Sequence, residues 1–206
     1  MRGIHKQAAP ACLAKGCAGK TWEQFMRMPC HETTRQSLNA EQSGVCCYCE
    51  TELPGAAWHI EHLIPRSKRA SLRFKYEYMA ASCNGAQGDD RHCGHWKDAD
   101  YDMFRFVSPH SGQTATMFAY SIDGKIAPRK GLTSELHKKA NYMIDLLNLR
   151  SAALERHRGS HAKNVIKSLG SNPTPLAKER LKKRLLETNS NGQLPSFYSL
   201  SLALLT

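Results

Sequence analysis

An α+β fold is predicted: a small cysteine-bound core with a few strands, short helices on its N-terminal side, and a helical region on its C-terminal side. Three observations predict it. Cys46-Cys47-Tyr48-Cys49-Glu50 carries a Cys-x-x-Cys pair at the spacing of a tetrahedral zinc knuckle, and Ser82-Cys83-Asn84-Gly85 through His92-Cys93-Gly94-His95-Trp96-Lys97 offers further cysteines that can close the same site. Between the two cysteine groups, Trp58 to Ile64 is rich in bulky, β-compatible residues and stops at Pro65. From Ser134 onward, apolar residues recur at the 3–4 spacing of a helix face. The chain thus divides into an arm over 1–20, a core over 21–130 and a helical region over 131–206.

In order along the chain, residues 1–20 are rich in Ala, Gly and Lys without sustained periodicity and read as a loosely held arm. Thr21 stands as an N-cap with Gln24 as its capping-box partner, which predicts a short helix ending near Pro29. A second helix is expected from Arg35 to Gln42, leading into Gly44 and the knuckle. In a strand over 58–64, His59 and Glu61 share one face and His62 points to the other. Arg66-Ser67-Lys68-Arg69, Arg73 and Lys75, interleaved with Phe74, Tyr76 and Tyr78, form a basic stretch. Phe104–Val107 and Met117–Tyr120 alternate enough to suggest a hairpin, and Asp123-Gly124 adds a turn. Helices are then expected from Ser134 with Leu136, Ala140, Met143, Ile144 and Leu147 inward, from Ser151 to Leu169, and from Pro175 to Leu186. The apolar stretch Phe197–Leu205 must cover something, either the chain's own helices or another subunit.

Composition narrows the function classes. With 206 residues and 41% hydrophobic content, the chain buries one good core and is not a disordered tail. Lys and Arg number 29 against 18 acids, a net charge of 29 − 18 = +11, which favours a polyanionic partner, with nucleic acid ahead of an anionic membrane surface. No apolar run of about 18 residues occurs and the first residues lead into no apolar signal region, so a cytoplasmic, non-membrane protein is expected. In a reducing compartment, paired cysteines near histidines read as metal ligands. Cys12, Cys17, Cys30 and Cys47 fit no ligand spacing and are expected to be free thiols.

Cleaving a phosphodiester at neutral pH takes a nucleophilic water and positive charge on the scissile phosphate and leaving oxygen; a histidine suits the first task and a bound divalent cation the others. Glu61 beside His62 supplies one group for each, and Asn84 and His95 are candidates to complete the metal shell.

The order Cys46-x-x-Cys49-Glu50, Ile60-Glu61-His62-Leu63-Ile64-Pro65-Arg66-Ser67, Ser82-Cys83-Asn84-Gly85 and His92-Cys93-Gly94-His95-Trp96-Lys97 resembles an HNH endonuclease with a zinc-stabilised ββα-metal core. More closely, the Trp22 helix, the Arg35-to-Gln42 lead-in, Cys46-x-Tyr48-Cys49-Glu50 and His59-Ile60-Glu61-His62-x-x-Pro65-x-Ser67 resemble the HNH subunit of Septu-type and retron-associated antiphage defence operons, over roughly residues 20–107. The resemblance implies that His62 is the general base and Glu61 a ligand of a catalytic Mg²⁺ or Mn²⁺, with Asn84 or His95 in the third role. It departs from the simplest pattern because Cys83 and Cys93 are ten residues apart and Tyr78-Met79 stands where an asparagine usually precedes. Zinc is assigned to Cys46, Cys49, Cys83 and Cys93, ahead of sets in which His92 or His95 replaces a cysteine, and is structural because four protein ligands leave no open position. The implied partners are a nucleic acid substrate, DNA or RNA, and an ATPase subunit of the same operon, with a reverse transcriptase and its DNA/RNA product in a retron setting. Phe197–Leu205 is the favoured dock for the ATPase, and the helix carrying Leu136, Met143, Ile144 and Leu147 the other surface. A reading from another class is a non-catalytic zinc-containing nucleic-acid-binding regulator, which has no need of Glu61 beside His62; a helical adaptor built on 134–206 is a third.

Overall fold

Two short antiparallel hairpins carry the named strands. β1 (Trp58–His62) pairs with β2 (Met79–Cys83), and β3 (Phe118–Tyr120) pairs with β4 (Ile126–Pro128). Helices surround them, and the computed structural model describes residues 1–85 and 87–206, apart from the side chains at 15, 16 and 89. The fold class is α+β, with four buried cysteines gathered at the first hairpin.

On the N-terminal side lie α1 (Ala11–Gly16), α2 (Trp22–Met26) and α3 (Pro29–Glu41). The capping box at α2 forms: Gln24 N–H donates to the Thr21 hydroxyl at 3.2 Å and Thr21 N–H to the Gln24 side chain at 2.9 Å. α3 starts six residues before the expected Arg35, because Pro29 fits the first helical position, where no backbone donor is needed. Two expectations for this region are corrected. The first twenty residues are packed rather than loose: Ile4, Leu13 and Cys17 are buried at irregular spacings that no periodicity signals, and Ile4 N–H donates to the Pro109 carbonyl at 2.8 Å. Cys12 and Cys30 are joined in a disulfide, because α1 folds back onto α3 and brings their Cα atoms to 5.8 Å.

Phe104–Val107 is not a strand. β3 pairs instead across the Asp123-Gly124 turn, a pairing with little loop to close. Gly124 has φ +89°, and a Cβ there would come within 2.1 Å of the Glu155 carbonyl oxygen, so this turn packs directly on the helix that carries Glu155. After α4 (Gly94–Lys97) and α5 (Thr114–Met117) come α6 (Ser134–Leu146), α7 (Ala152–Leu169), α8 (Pro175–Leu186) and α9 (Tyr198–Leu205). Thr133, Ser151 and Thr174 cap α6 to α8 through their hydroxyls, and Gly170 ends α7. On α8, Leu181 and Leu185 are buried while Leu176 stays exposed.

Both expected docking surfaces are largely covered by the chain itself, although Leu202 stays exposed. Met143 and Ile144 of α6, and Leu147 just after it, lie in the main core. Leu194, Phe197 and Leu200 are buried; Phe197 N–H donates to the Glu50 carbonyl at 2.8 Å, and Ser199 donates to the Glu50 carboxylate through its N–H at 2.8 Å and its hydroxyl at 2.6 Å. Leu204 and Leu205 pack on Val165, Leu181 and Leu185. Closing the knuckle residue Glu50 against the last helix is therefore the main work of this stretch.

His110, half-buried, bonds the Glu77 carbonyl through Nδ1 at 3.1 Å and leaves Nε2 buried without a partner. Burial, then the Lys6 ammonium, lower its pKa to about 4. Since the unfolded chain binds a proton near pH 6.5 and the fold does not, stability is lost as pH falls from about 6.5 towards 4, by at most about 1.4 kcal/mol per pH unit, reduced by solvent screening. The thermal midpoint of His110→Asn is expected to depend less on pH across that window; an unchanged slope contradicts this.

Candidate metal centre and active site

The knuckle is built by a tight reversal. Glu50 N–H donates to the Cys46 carbonyl at 3.2 Å, Cys46 N–H to the Thr51 carbonyl at 2.9 Å, and Glu50 adopts φ +62°. Cys47 N–H donates to the Ala81 carbonyl at 3.0 Å, which docks the knuckle on β2. Cys83 then projects from the end of β2, and Cys93 enters from the residue before α4. The ligand sulfurs of Cys46, Cys49, Cys83 and Cys93 all lie within 4.8 Å of one another, with Cys49 and Cys83 at 3.6 Å. A tetrahedron with Zn–S bonds of about 2.3 Å has edges of ~3.8 Å, so four thiolates in this arrangement can bind zinc. Cys83 N–H donates to the Cys46 sulfur at 3.4 Å, as suits a thiolate ligand. His92 stands beside the group, its Nδ1 3.2 Å from the Cys93 sulfur, and His95 lies elsewhere, so the four cysteines are the convergent set among the described residues.

The second cluster sits on the other side of the same hairpin end. Alternation along β1 puts His59 and Glu61 on one face, opposite Ser82 and Ala80 of β2. α4 closes over that face because Gly94 lets it: a Cβ at Gly94 would stand 2.5 Å from both Glu61 Oε2 and His59 Nε2. Glu61 is buried, accepts from Tyr48 OH at 3.0 Å and pairs with Lys97 Nζ at 2.9 Å through Oε1, while Oε2 faces His59 Nε2 at 3.5 Å. Burial works to raise the Glu61 pKa, but the His59 contact and the Lys97 ammonium outweigh it and hold the carboxyl below its ordinary value. The His59 and His95 rings stack at 4.3 Å, and His59 Nδ1 lies 3.2 Å from Asn84 Oδ1. Burial, then the neighbouring His59, lowers the His95 pKa.

His62 leaves β1 on the opposite face. Its Nε2 is 3.0 Å from the Arg73 carbonyl and its ring meets Trp22 edge-on at 4.5 Å. A carbonyl can only accept, so Nε2 carries the proton and Nδ1 is left with a lone pair. Burial, together with the Arg66 and Lys97 cations, lowers its pKa to about 4 against the opposing carbonyl bond, so the ring is neutral at pH 7. Glu61, His62, Asn84 and His95, the residues singled out from the sequence, all line one open cleft of about 1590 Å³, together with His59, Arg66 and Arg91.

The chain resembles a retron protein. It is 28% identical over 135 residues to "Retron Vc95 putative HNH endonuclease" of Vibrio cholerae serotype O1 biovar El Tor, a match covering 64% of this chain and 64% of that protein. No protein-family model matches.

Sequence reasoning left three groups out of the cleft's machinery. His59 is absent from the sequence-derived set of site residues, although period-two alternation already pairs it with Glu61. Lys97 is buried at 2% exposure, giving Nζ to Glu61 and to the His62 carbonyl at 3.1 Å, so it ties together the two residues that β1 directs to opposite faces. Tyr48, between the knuckle cysteines, shows in the sequence no sign that its hydroxyl reaches Glu61.

Proposed function

We propose that this chain is a metal-dependent HNH endonuclease that hydrolyses phosphodiester bonds of DNA or RNA. The observation that carries it is the convergence on one cleft of a neutral imidazole with a free nitrogen, His62, and an ionised, buried carboxylate, Glu61, on a strand pair stapled by the four-cysteine group. The ββα-metal core is then β1, β2 and α4.

Glu61, whose Oε2 is not taken by Lys97, would hold a Mg²⁺ or Mn²⁺ with Asn84 or His95, a hard oxygen-and-nitrogen donor set suited to such ions. Bound there, the cation neutralises charge on the phosphate and leaving oxygen. His62 Nδ1 accepts the proton of the attacking water while Nε2 stays anchored on Arg73. Lys97 fixes the Glu61 carboxylate, and the Gly94 contact fixes the height of α4 above it. Arg66 and Arg91 on the cleft wall meet the phosphate backbone. Structural zinc at Cys46, Cys49, Cys83 and Cys93 holds the frame.

By its similarity to the retron-named protein, we place the chain in a cytoplasmic antiphage defence system of the Septu or retron-associated kind, held in check by an ATPase of the same operon. Purified protein, alone and with its operon neighbours, should cut DNA or total RNA in Mg²⁺ or Mn²⁺ and not in EDTA. Nucleic acid binding without cleavage in any of these mixtures would favour the non-catalytic regulator.

Gly94→Ala offers a check on the cleft's geometry. Its methyl group cannot coexist with Glu61 Oε2 and His59 Nε2 as placed, so these two side chains or α4 must shift, and the cleavage rate is expected to fall at least about tenfold with zinc retained. Cleavage at the wild-type rate would show that the close approach of Gly94 to Glu61 and His59 does not set the site.

A further inference from the structure

Trp96 differs from the other two tryptophans: it is 46% exposed, against 9% for Trp22 and 5% for Trp58. It lies on α4 between His95 and the buried Lys97, whose bonds to Glu61 and His62 fix the turn and leave the indole directed outward. Trp96 lines the cleft that holds Glu61 and His62, and it also lines an adjoining open cleft of about 1020 Å³. That second cleft is walled by Tyr101, Met103, Phe104 and Arg105; Phe104 is 78% and Met103 62% exposed, and the Arg105 guanidinium lies 4.3 Å above the Tyr142 ring.

Large apolar side chains exposed around one cleft beside a polar one mark a surface that binds something. Three candidate occupants differ in chemistry. A phosphate backbone needs cations, and Trp96 and Phe104 offer none. A duplex offers base edges in its grooves, with the base faces already covered by their neighbours. An unpaired base offers a bare π-face, which indole and phenyl rings bind by stacking with little regard to base identity. The net charge of +11 and the Arg66 and Arg91 side chains in the first cleft supply the backbone attraction such a strand also needs.

We infer that Trp96 stacks an unpaired base next to the scissile phosphate, and that Phe104 continues the platform, so that the substrate class is single-stranded or looped nucleic acid. The inference rests on the nuclease reading for the word scissile, but the stacking itself is independent of cleavage. Trp96 is then a specificity-determining residue.

The test uses zinc-loaded full-length protein without added Mg²⁺ or Mn²⁺. Tryptophan emission is followed while oligothymidylate, oligouridylate, an abasic strand of equal length and a blunt duplex are added in turn. Trp22 and Trp58 are buried, and quenching that disappears in Trp96→Phe reports Trp96. Quenching by either unpaired strand and not by the abasic strand or the duplex is expected, the two strands separating DNA from RNA. By anisotropy, Trp96→Ala should weaken binding of that strand about tenfold, while Trp96→Phe keeps most of it. Equal binding of abasic strand and duplex, no binding of any strand, or an unchanged Kd for a zinc-loaded Trp96→Ala protein would overturn the inference. If duplex is cut and Trp96→Ala cuts it normally, stacking falls and the nuclease reading stands. If stacking is seen and no metal supports cleavage, the nuclease reading falls and stacking stands.

Discussion

Cys49→Ser is expected to release zinc and to unfold the central region. The four sulfurs join three separate pieces of chain: the knuckle at 46–49, the end of β2 at Cys83 and the entry to α4 at Cys93. Other links between these pieces are single hydrogen bonds or ion pairs, among them Gly94 N–H to the Ser82 hydroxyl at 3.2 Å and Tyr48 through Glu61 to Lys97. Cys47 N–H to the Ala81 carbonyl docks the knuckle on the strand, and Cys93 N–H to the Leu147 carbonyl, at 2.9 Å, holds the α4 entry against the end of α6. A backbone hydrogen bond adds about 1 kcal/mol net, whereas structural zinc binding is worth about 10–16 kcal/mol, comparable to or above the whole stability of a typical domain. Metal analysis of the wild-type protein should give about one zinc per chain, and Cys49→Ser, Cys83→Ser and Cys93→Ser should each lose it along with the cooperative thermal transition. Cys47→Ala is the matched control: Cys47 is equally buried and sits in the same knuckle, but its sulfur is outside the convergent group. It should keep its zinc. A Cys49→Ser protein with full zinc and an unchanged midpoint would remove the site from the fold.

The parts of this protein legible in its sequence are those specified by short-range chemistry. The Thr21 capping box and the Pro175 start of α8 each need only a few neighbouring residues in a fixed spacing and are found as read, and the Cys-x-x-Cys pair gathers with Cys83 and Cys93 where four sulfurs could hold a metal. β2 escaped because Met79-Ala80-Ala81-Ser82-Cys83 is small and, with all five residues buried, has no alternation to display. The Cys12–Cys30 bond escaped because it depends on α1 folding back onto α3, which no local pattern encodes. At the cleft, alternation correctly sends His62 away from Glu61, and what reconciles them is long-range: Lys97, thirty-five residues after His62, bonds the carboxylate of one and the carbonyl of the other. The C-terminal leucines were visible as apolar but not as taken, since their partners on α7 and α8 are set by tertiary packing.

His62→Ala is expected to lower single-turnover cleavage by roughly 10² to 10⁴-fold, the usual loss when a general base is removed, with zinc content unchanged. The ring's state makes it fit for the task without any titration near neutrality: burial holds its pKa at about 4, so it is already the neutral acceptor at pH 7. The Arg73 carbonyl fixes the proton on Nε2 and leaves Nδ1 to accept. Protonation of His62 therefore should not depress the rate between pH 7 and about 5, whereas a base with the ordinary histidine pKa would lose most of its activity over that range. The ring also packs against Trp22, so His62→Ala opens a void; His62→Gln, which keeps much of the volume, separates lost packing from lost chemistry and should be equally slow. Glu61→Gln behaves differently in kind. It removes a negative ligand while leaving the base in place, so it should raise the Mg²⁺ or Mn²⁺ needed for half-maximal rate. It also leaves Lys97 buried beside a neutral amide, which costs stability. If His62→Ala and His62→Gln both cut at the wild-type rate while Glu61→Gln does not, the proton acceptor is His59, which shares the Glu61 face and the same cleft.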